Sequence, residues 1–187
     1  MNKIRLVFNN ATEISGNTQI GLLSLTDVSK RRQLSIVCER NIAIEIEKRK
    51  SNKAMCSNLI TEVMSKMLEE QSTTDYEIQI LDIVDGQYKV IVFNTDTLSH
   101  ISIRASDAVL LSIVTGIPIF IEERLMRLQS VEYSENKKGV TVPINAISIP
   151  MLEESLKKAI ETEDYEMASK IRDEIKKRNR DMPNDMT

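Results

Sequence analysis

The chain has 187 residues, 41% of them hydrophobic, which is enough for one domain of ordinary size with a buried core plus an accessory element. Its 25 Lys and Arg stand against 28 Asp and Glu, a formal charge of −3, which excludes a globally basic nucleic-acid-binding surface and confines any such contact to a local patch. With 4% aromatic residues and no Trp, a base-stacking platform for single strands is excluded as well.

Cys38 and Cys56 have no metal-ligand spacing and no secretory signal ahead of them, so the expectation is a cytoplasmic protein without a disulfide framework. The longest apolar stretch, near Ala108 to Ile121, is broken by Gly116 and Pro118 and falls short of the ~20 residues that span a bilayer. No membrane segment is expected.

In chain order, Ile4, Leu6 and Phe8 alternate with polar residues and predict a strand with one face on a core. Gln19 to Leu25 and Gln33 to Cys38 are apolar runs joined by a polar stretch, which predicts a hairpin. Asn41 to Lys50 carries Ile42, Ala43 and Ile46 at helical spacing, with Glu45, Glu47, Lys48 and Arg49 assigned to the solvent side. After Ser57, a good N-cap, the residues Leu59, Ile60, Val63, Met64, Met67 and Leu68 form a wide apolar stripe that predicts a second helix. Tyr76 to Val84 and Gln87 to Phe93 flank Asp85-Gly86, a dipeptide suited to the positive φ angles of a tight hairpin turn.

Leu98 to Ile103 alternates again. Ser106 can cap a helix through Val114 that Gly116 ends, Ile117 to Ile121 reads as a buried strand, and Glu122 opens a further helix to about Gln129. The fold expected is α+β: a mixed, largely antiparallel sheet of roughly five to seven strands with about three or four packed helices. The expected organisation is a domain over 1–133, a linker over 134–149, an α-helical hairpin over 150–180 and a disordered tail over 181–187. In the hairpin, Leu152, Leu156, Ala159 and Ile160 form one stripe, and Tyr165, Ala168, Ile171 and Ile175 form another behind the N-cap Asp164.

The string LEESLKKAIETEDYEMASKIRDEIKK, Leu152 to Lys177, resembles the UVR motif of UvrB and UvrC over its whole length. That resemblance implies a protein-protein interaction element, with Tyr165, Ala168, Arg172 and Asp173 as contact candidates. The alternative is a hairpin that simply packs on its own domain.

Four further strings, GLLSLTD (Gly21 to Asp27), QLSIV (Gln33 to Val37), ILDIVDGQYKVIV (Ile80 to Val92) and ISIRASDAVLLSIVTGIPIFIEE (Ile101 to Glu123), resemble the bifunctional nuclease family. The resemblance implies cleavage of DNA and RNA. The chain departs from the family pattern at Met55 to Leu59, where a Thr-His-Asp-like start is usual, at Ser102, usually acidic, and at Ala105, usually proline.

Metal-assisted phosphodiester cleavage needs carboxylates to hold Mg²⁺ or Mn²⁺ and a cation to offset charge on the transition state. The candidates are Arg104, Asp107, Glu122 and Glu123 for catalysis, with Asp107 and Glu123 as metal ligands. The plainer reading of Ser106, Asp107 and Arg104 is a helix cap, a first-turn acid and its ion-pair partner. Lys48, Arg49, Lys50 and Lys53 are the candidate nucleic-acid contacts, with Lys30, Arg31 and Arg32 a second basic run. Either run also reads as a solvated face. His100, the lone histidine, reads first as a strand surface residue.

Two functions follow: a nuclease brought to a partner by the hairpin, or a non-catalytic adaptor recruiting a DNA-repair or proteolysis partner. The long apolar stripes also predict self-association as a dimer.

Overall fold

The structure, a computed structural model, describes residues 2–13, 20–70, 75–134, 147 and 149–181. Residues 135–146 and 148 of the expected linker and 182–187 of the expected tail lie outside the described residues. The chain forms two compact units, one from residues 1–82 and 88–141, the other from 83–87 and 142–187.

The first unit is built on β1 (Lys3–Glu13), β2 (Ile20–Asp27), β3 (Arg32–Glu39), β4 (Tyr76–Val84), β5 (Gln87–Asn94), β6 (His100–Ile103), β7 (Ile119–Glu122) and β8 (Ser130–Glu132). These make one sheet in the order β6-β5-β4-β7-β1-β2-β3-β8. Pairing is antiparallel except between β4 and β7, where Ile78 meets Ile119. The eight strands exceed the expected number because β8, three residues against Arg32 to Leu34, is too short to show a period.

The register fixes the two ends of the sheet. Lys3 lies opposite Glu122, Glu13 opposite Gly21, and Ile20 opposite Glu39. One end therefore gathers Lys3, Asp27, Arg32 and Glu122, and the other gathers Glu13, Ile20 and Glu39.

Helices α1 (Arg40–Ser51), α2 (Ile60–Glu70), α3 (Ala105–Thr115) and α4 (Glu123–Gln129) belong to the same unit. Every residue from Gly21 to Asp27 is buried, so β2 is covered on both faces and its two-residue period carries no polarity signal. Leu23, Leu25, Leu34, Ile36, Ile46, Ile78 and Ile121 are all but inaccessible, each stabilising by ~1.5–3 kcal/mol through burial. α1 lies close on the sheet because Gly21 has no side chain: a Cβ there would meet Ala43 Cβ at 2.8 Å and Cys38 Sγ at 3.0 Å.

Three expectations are corrected. The cap of α3 is Arg104, in extended conformation and without a side-chain hydrogen bond, and Ser106 is instead a buried residue of the helix. α2 begins at Ile60, three residues after Ser57, so Ser57 is not its cap; Ile60, Val63, Met64 and Met67 of its stripe are exposed. Arg49, assigned to the solvent side, is buried along with Ala43 and Ile46. Gly116, at φ 78°, does end α3.

The second unit joins α5 (Ile149–Glu161), α6 (Tyr165–Asp181) and the β4–β5 turn. Leu152, Ala159, Ala168 and Ile171 fill the helix-helix seam, and the Asp164 carboxylate accepts from Met167 N–H at 3.0 Å as the predicted cap. Ile160 and Tyr165, placed in the stripes by period, are exposed beside the turn, outside that seam. Asp85 and Gly86 take φ 51° and 74°, as the dipeptide predicts. Arg178 donates to the Ile147 carbonyl at 2.6 Å, and a Cβ on Gly86 would sit 2.4 Å from that oxygen. Among the described residues no helix is long and apolar enough to cross a membrane.

Candidate functional site

At the Glu39 end of the sheet, the backbone turns from β6 into α3 at Arg104. Its guanidinium grips Asp107 with two contacts, Nε to Oδ2 at 2.6 Å and Nη2 to Oδ1 at 3.3 Å, and reaches Glu39 Oε1 at 3.4 Å. Hydrogen bonding and charge from Asp107, outweighing slight burial, hold the guanidinium more firmly protonated than usual. Both oxygens of Asp107 are therefore already engaged, and the plainer reading of this trio is the one the geometry realises.

Glu122 and Glu123 lie at the other end. Glu122 closes β7 opposite Lys3 and is the cap residue of α4. Glu123 accepts from Asn2 Nδ2 at 3.2 Å and lies 3.7 Å from Arg127. The length of β1 separates this end from Arg104 and Asp107, roughly 30 Å at ~3.3 Å per residue. A divalent ion needs its oxygens within ~2.6 Å, so Asp107 and Glu123 cannot share one. The predicted pair does not fit a metal, and among the described residues no three His, Cys, Asp or Glu side chains are grouped to hold one.

The predicted nucleic-acid cluster is also redistributed. Arg49 donates to both Glu62 oxygens, at 2.6 and 3.0 Å, and to Glu45 Oε2 at 3.0 Å, so this buried cation ties α1 to α2 and cannot reach a phosphate. Its bonds to Glu62 and Glu45 outweigh burial and keep it more firmly protonated. Lys48 pairs with Glu45 at 2.6 Å, and Lys50 pairs with Glu47 at 2.9 Å and lies 5.0 Å from the Phe8 ring centre. Lys53 opens a short 3-10 turn, Lys53–Cys56. His100 is exposed in β6, opposite Phe93.

What the fold does assemble is an arginine-lined groove of about 640 Å³ at the Glu122 end. Arg5, Arg31, Arg32 and Arg127 line it with Asp27, Glu123 and Glu132, four guanidinium groups against three carboxylates. Asp27 is committed to the β2–β3 turn, accepting from the backbone N–H of Arg31 at 2.8 Å and of Arg32 at 2.6 Å, and from the Ser29 hydroxyl. Burial would raise its pKa, but those hydrogen bonds outweigh it and hold the carboxyl below its usual range. Arg32 clamps Ser130, Nε to Oγ and Nη2 to the carbonyl, both at 2.6 Å, fixing β8 to β3. Arg31 is largely exposed, and Arg5 is exposed with no partner among the described residues. Of these residues, sequence reasoning flagged Arg31 and Arg32 as a basic run and missed Arg5 and Arg127. The signal for Arg5 was its place on the outward side of the β1 alternation.

In the hairpin, Ala168 is part of the buried helix-helix seam. Tyr165 is exposed, and so are Arg172 and Asp173, which pair with each other at 3.7 Å.

These features define a mixed-sheet α+β domain with an arginine-lined groove, followed by an antiparallel helix pair. Residues 23–134 match the bifunctional nuclease domain model, and residues 148–178 match the UvrB/uvrC motif. The first match spans more than half of the chain, and the chain belongs to the bifunctional nuclease domain family. No curated protein matches it.

Proposed function

We propose that the N-terminal domain acts on the phosphodiester backbone of DNA or RNA in the groove at the Glu122 end, while the C-terminal hairpin holds a protein partner. The observation that carries this reading is the convergence of Arg5, Arg31, Arg32 and Arg127 beside Glu123. Guanidinium groups bind phosphate oxygens in pairs and offset charge as phosphorus is attacked. Glu123 is the one predicted catalytic acid that lines this groove, and its role is to accept the proton of the attacking water. Arg104 and Asp107 serve as a structural ion pair. The partner's docking site is the exposed turn of the hairpin, where Ile160, Tyr165 and Met167 stand out. A cytoplasmic setting, with both buried cysteines reduced, completes the proposal.

The adaptor reading is favoured by a different observation: Asp107, the other predicted metal ligand, is sequestered and lies far from Glu123. In that case the groove binds without cleaving.

The deciding experiment measures binding and cleavage together, using labelled single- and double-stranded DNA and RNA with Mg²⁺, with Mn²⁺ and with chelator. Wild type is expected to bind and cleave, Arg5→Ala/Arg127→Ala to lose both, and Glu123→Gln to bind without cleaving. Binding without cleavage by wild type selects the adaptor, and no binding overturns the groove assignment.

A further inference from the structure

The outer side of α2 has no role in either reading. The side of α2 turned into the domain carries Thr61, Ser65 and Leu68, half-buried or buried, and the helix packs on α3. At ~100° per residue, Ile60, Val63, Met64 and Met67 lie on one side about a third of a turn away from that seam. They are exposed by 72%, 38%, 46% and 55%. Met55 and Leu59 extend the patch, and both line an apolar cavity of about 690 Å³ with Ala43, Ile44 and Cys56. A helix that withholds its apolar side from its own core has a surface left to cover.

We infer that this side is an interface between two copies of the chain, with α2 packed antiparallel on the partner's α2 about a two-fold axis passing between Val63 and Met64. The four positions are symmetric about that point. In antiparallel register Ile60 meets the partner's Met67, and Val63 meets the partner's Met64, twice each, which is the self-complementarity an isologous dimer requires. Charge does not oppose this register: Glu62 is held by Arg49 within the domain, and Lys66 and Glu69 have Thr61 and Asn58, not like charges, at the symmetry-related positions. No like charges meet across the axis.

The exposed apolar side chains from Ile44 to Met67 amount to on the order of 600 Å², at the upper end of what a monomer leaves open. With its polar margin this approaches the ~800 Å² per partner of a stable interface. Three of the residues are methionines, whose unbranched side chains adapt to a facing surface.

The test is the mass of the full chain by sedimentation equilibrium at tens of micromolar, for wild type, Met67→Glu and the double variant Ile60→Lys/Met67→Glu. The substituted positions are exposed, and a circular dichroism spectrum verifies that each variant folds. Wild type is expected to have the mass of two chains and Met67→Glu the mass of one. In the double variant each Ile60–Met67 contact becomes a Lys–Glu pair, so the mass of two chains is expected to return. A monomeric wild type, or a Met67→Glu variant that stays dimeric, overturns the interface, and a double variant that stays monomeric overturns the register.

Discussion

The two ends of the sheet carry similar residue types and do different things with them. At the Glu39 end and along α1, the described cations are mostly answered: Arg104 by Asp107 and Glu39, Arg49 by Glu45 and Glu62, Lys48 by Glu45, Lys50 by Glu47. At the Glu122 end four arginines converge on one groove, where Arg31 and Arg127 lie 3.9 and 3.7 Å from Asp27 and Glu123 and Arg5 meets no acid among the described residues. A basic run in sequence therefore says little about phosphate binding. What decides is whether the fold supplies each cation with a carboxylate before a ligand arrives.

The hardest way to break this contrast is at Arg49. Arg49→Ala leaves Glu62 without its cation between α1 and α2, while Glu45 keeps Lys48, and an unpaired buried charge is expensive. Thermal or urea unfolding should show a loss of about 3 kcal/mol. A change under about 1 kcal/mol would mean that the triad contributes little to holding these helices together.

Asp27 is the next test. Its carboxylate gathers two backbone N–H groups and the Ser29 hydroxyl at the turn that presents Arg31 and Arg32. Asp27→Ala should cost about 2 kcal/mol by orphaning those donors. The sign with pH follows from a folded pKa held below the usual carboxyl value of 3.8. The contribution is fully present above that value and is lost as pH falls through the lower, folded one. Asp27→Asn should accordingly unfold less steeply below about pH 4, which acid titration of the far-ultraviolet signal would register.

Much of the fold was legible because local chemistry and tertiary role agree. The β1 alternation, the Asp85-Gly86 turn and the Asp164 cap each follow from a backbone requirement that one or two residues meet. The misses have a common physical origin. Periodicity says which side of a helix is apolar and not what that side meets, so the stripe of α2 does not reveal that the domain receives Thr61 and Ser65. Arg49 looked solvated as one of three consecutive basic residues, yet it follows Ala43 and Ile46 at three-residue steps, and that spacing carried the signal. The site was least legible of all. Arg5, Arg31, Arg32 and Arg127 come from β1, the β2–β3 connection, the start of β3 and α4, and only the strand order β7-β1-β2-β3 brings them together.

The groove itself sharpens the comparison. Arg5→Ala should leave the unfolding free energy within about 0.5 kcal/mol of wild type, because an exposed side chain without a partner gives up little. It should weaken binding of a labelled DNA or RNA strand by about tenfold, ~1.4 kcal/mol, with a shallower dependence on salt. Lys48→Ala, at the answered end, should leave that affinity unchanged. Equal losses from both variants would show that binding follows overall charge and not the groove.

The smallest effect belongs to Arg104, and its smallness is informative. The pair with Asp107 is close and two-toothed, but Arg104 is mostly exposed, and solvent screens such a contact to below about 1 kcal/mol. Arg104→Ala should therefore shift the melting temperature only slightly. If the pair is structural, nucleic-acid affinity and any cleavage should stay at the wild-type level. If Asp107 is the catalytic acid that the motif suggests, removing its guanidinium partner changes activity far more than stability. Cleavage that falls by more than about tenfold, ~1.4 kcal/mol, while the melting curve stays in place would move the active site from the arginine groove back to the start of α3.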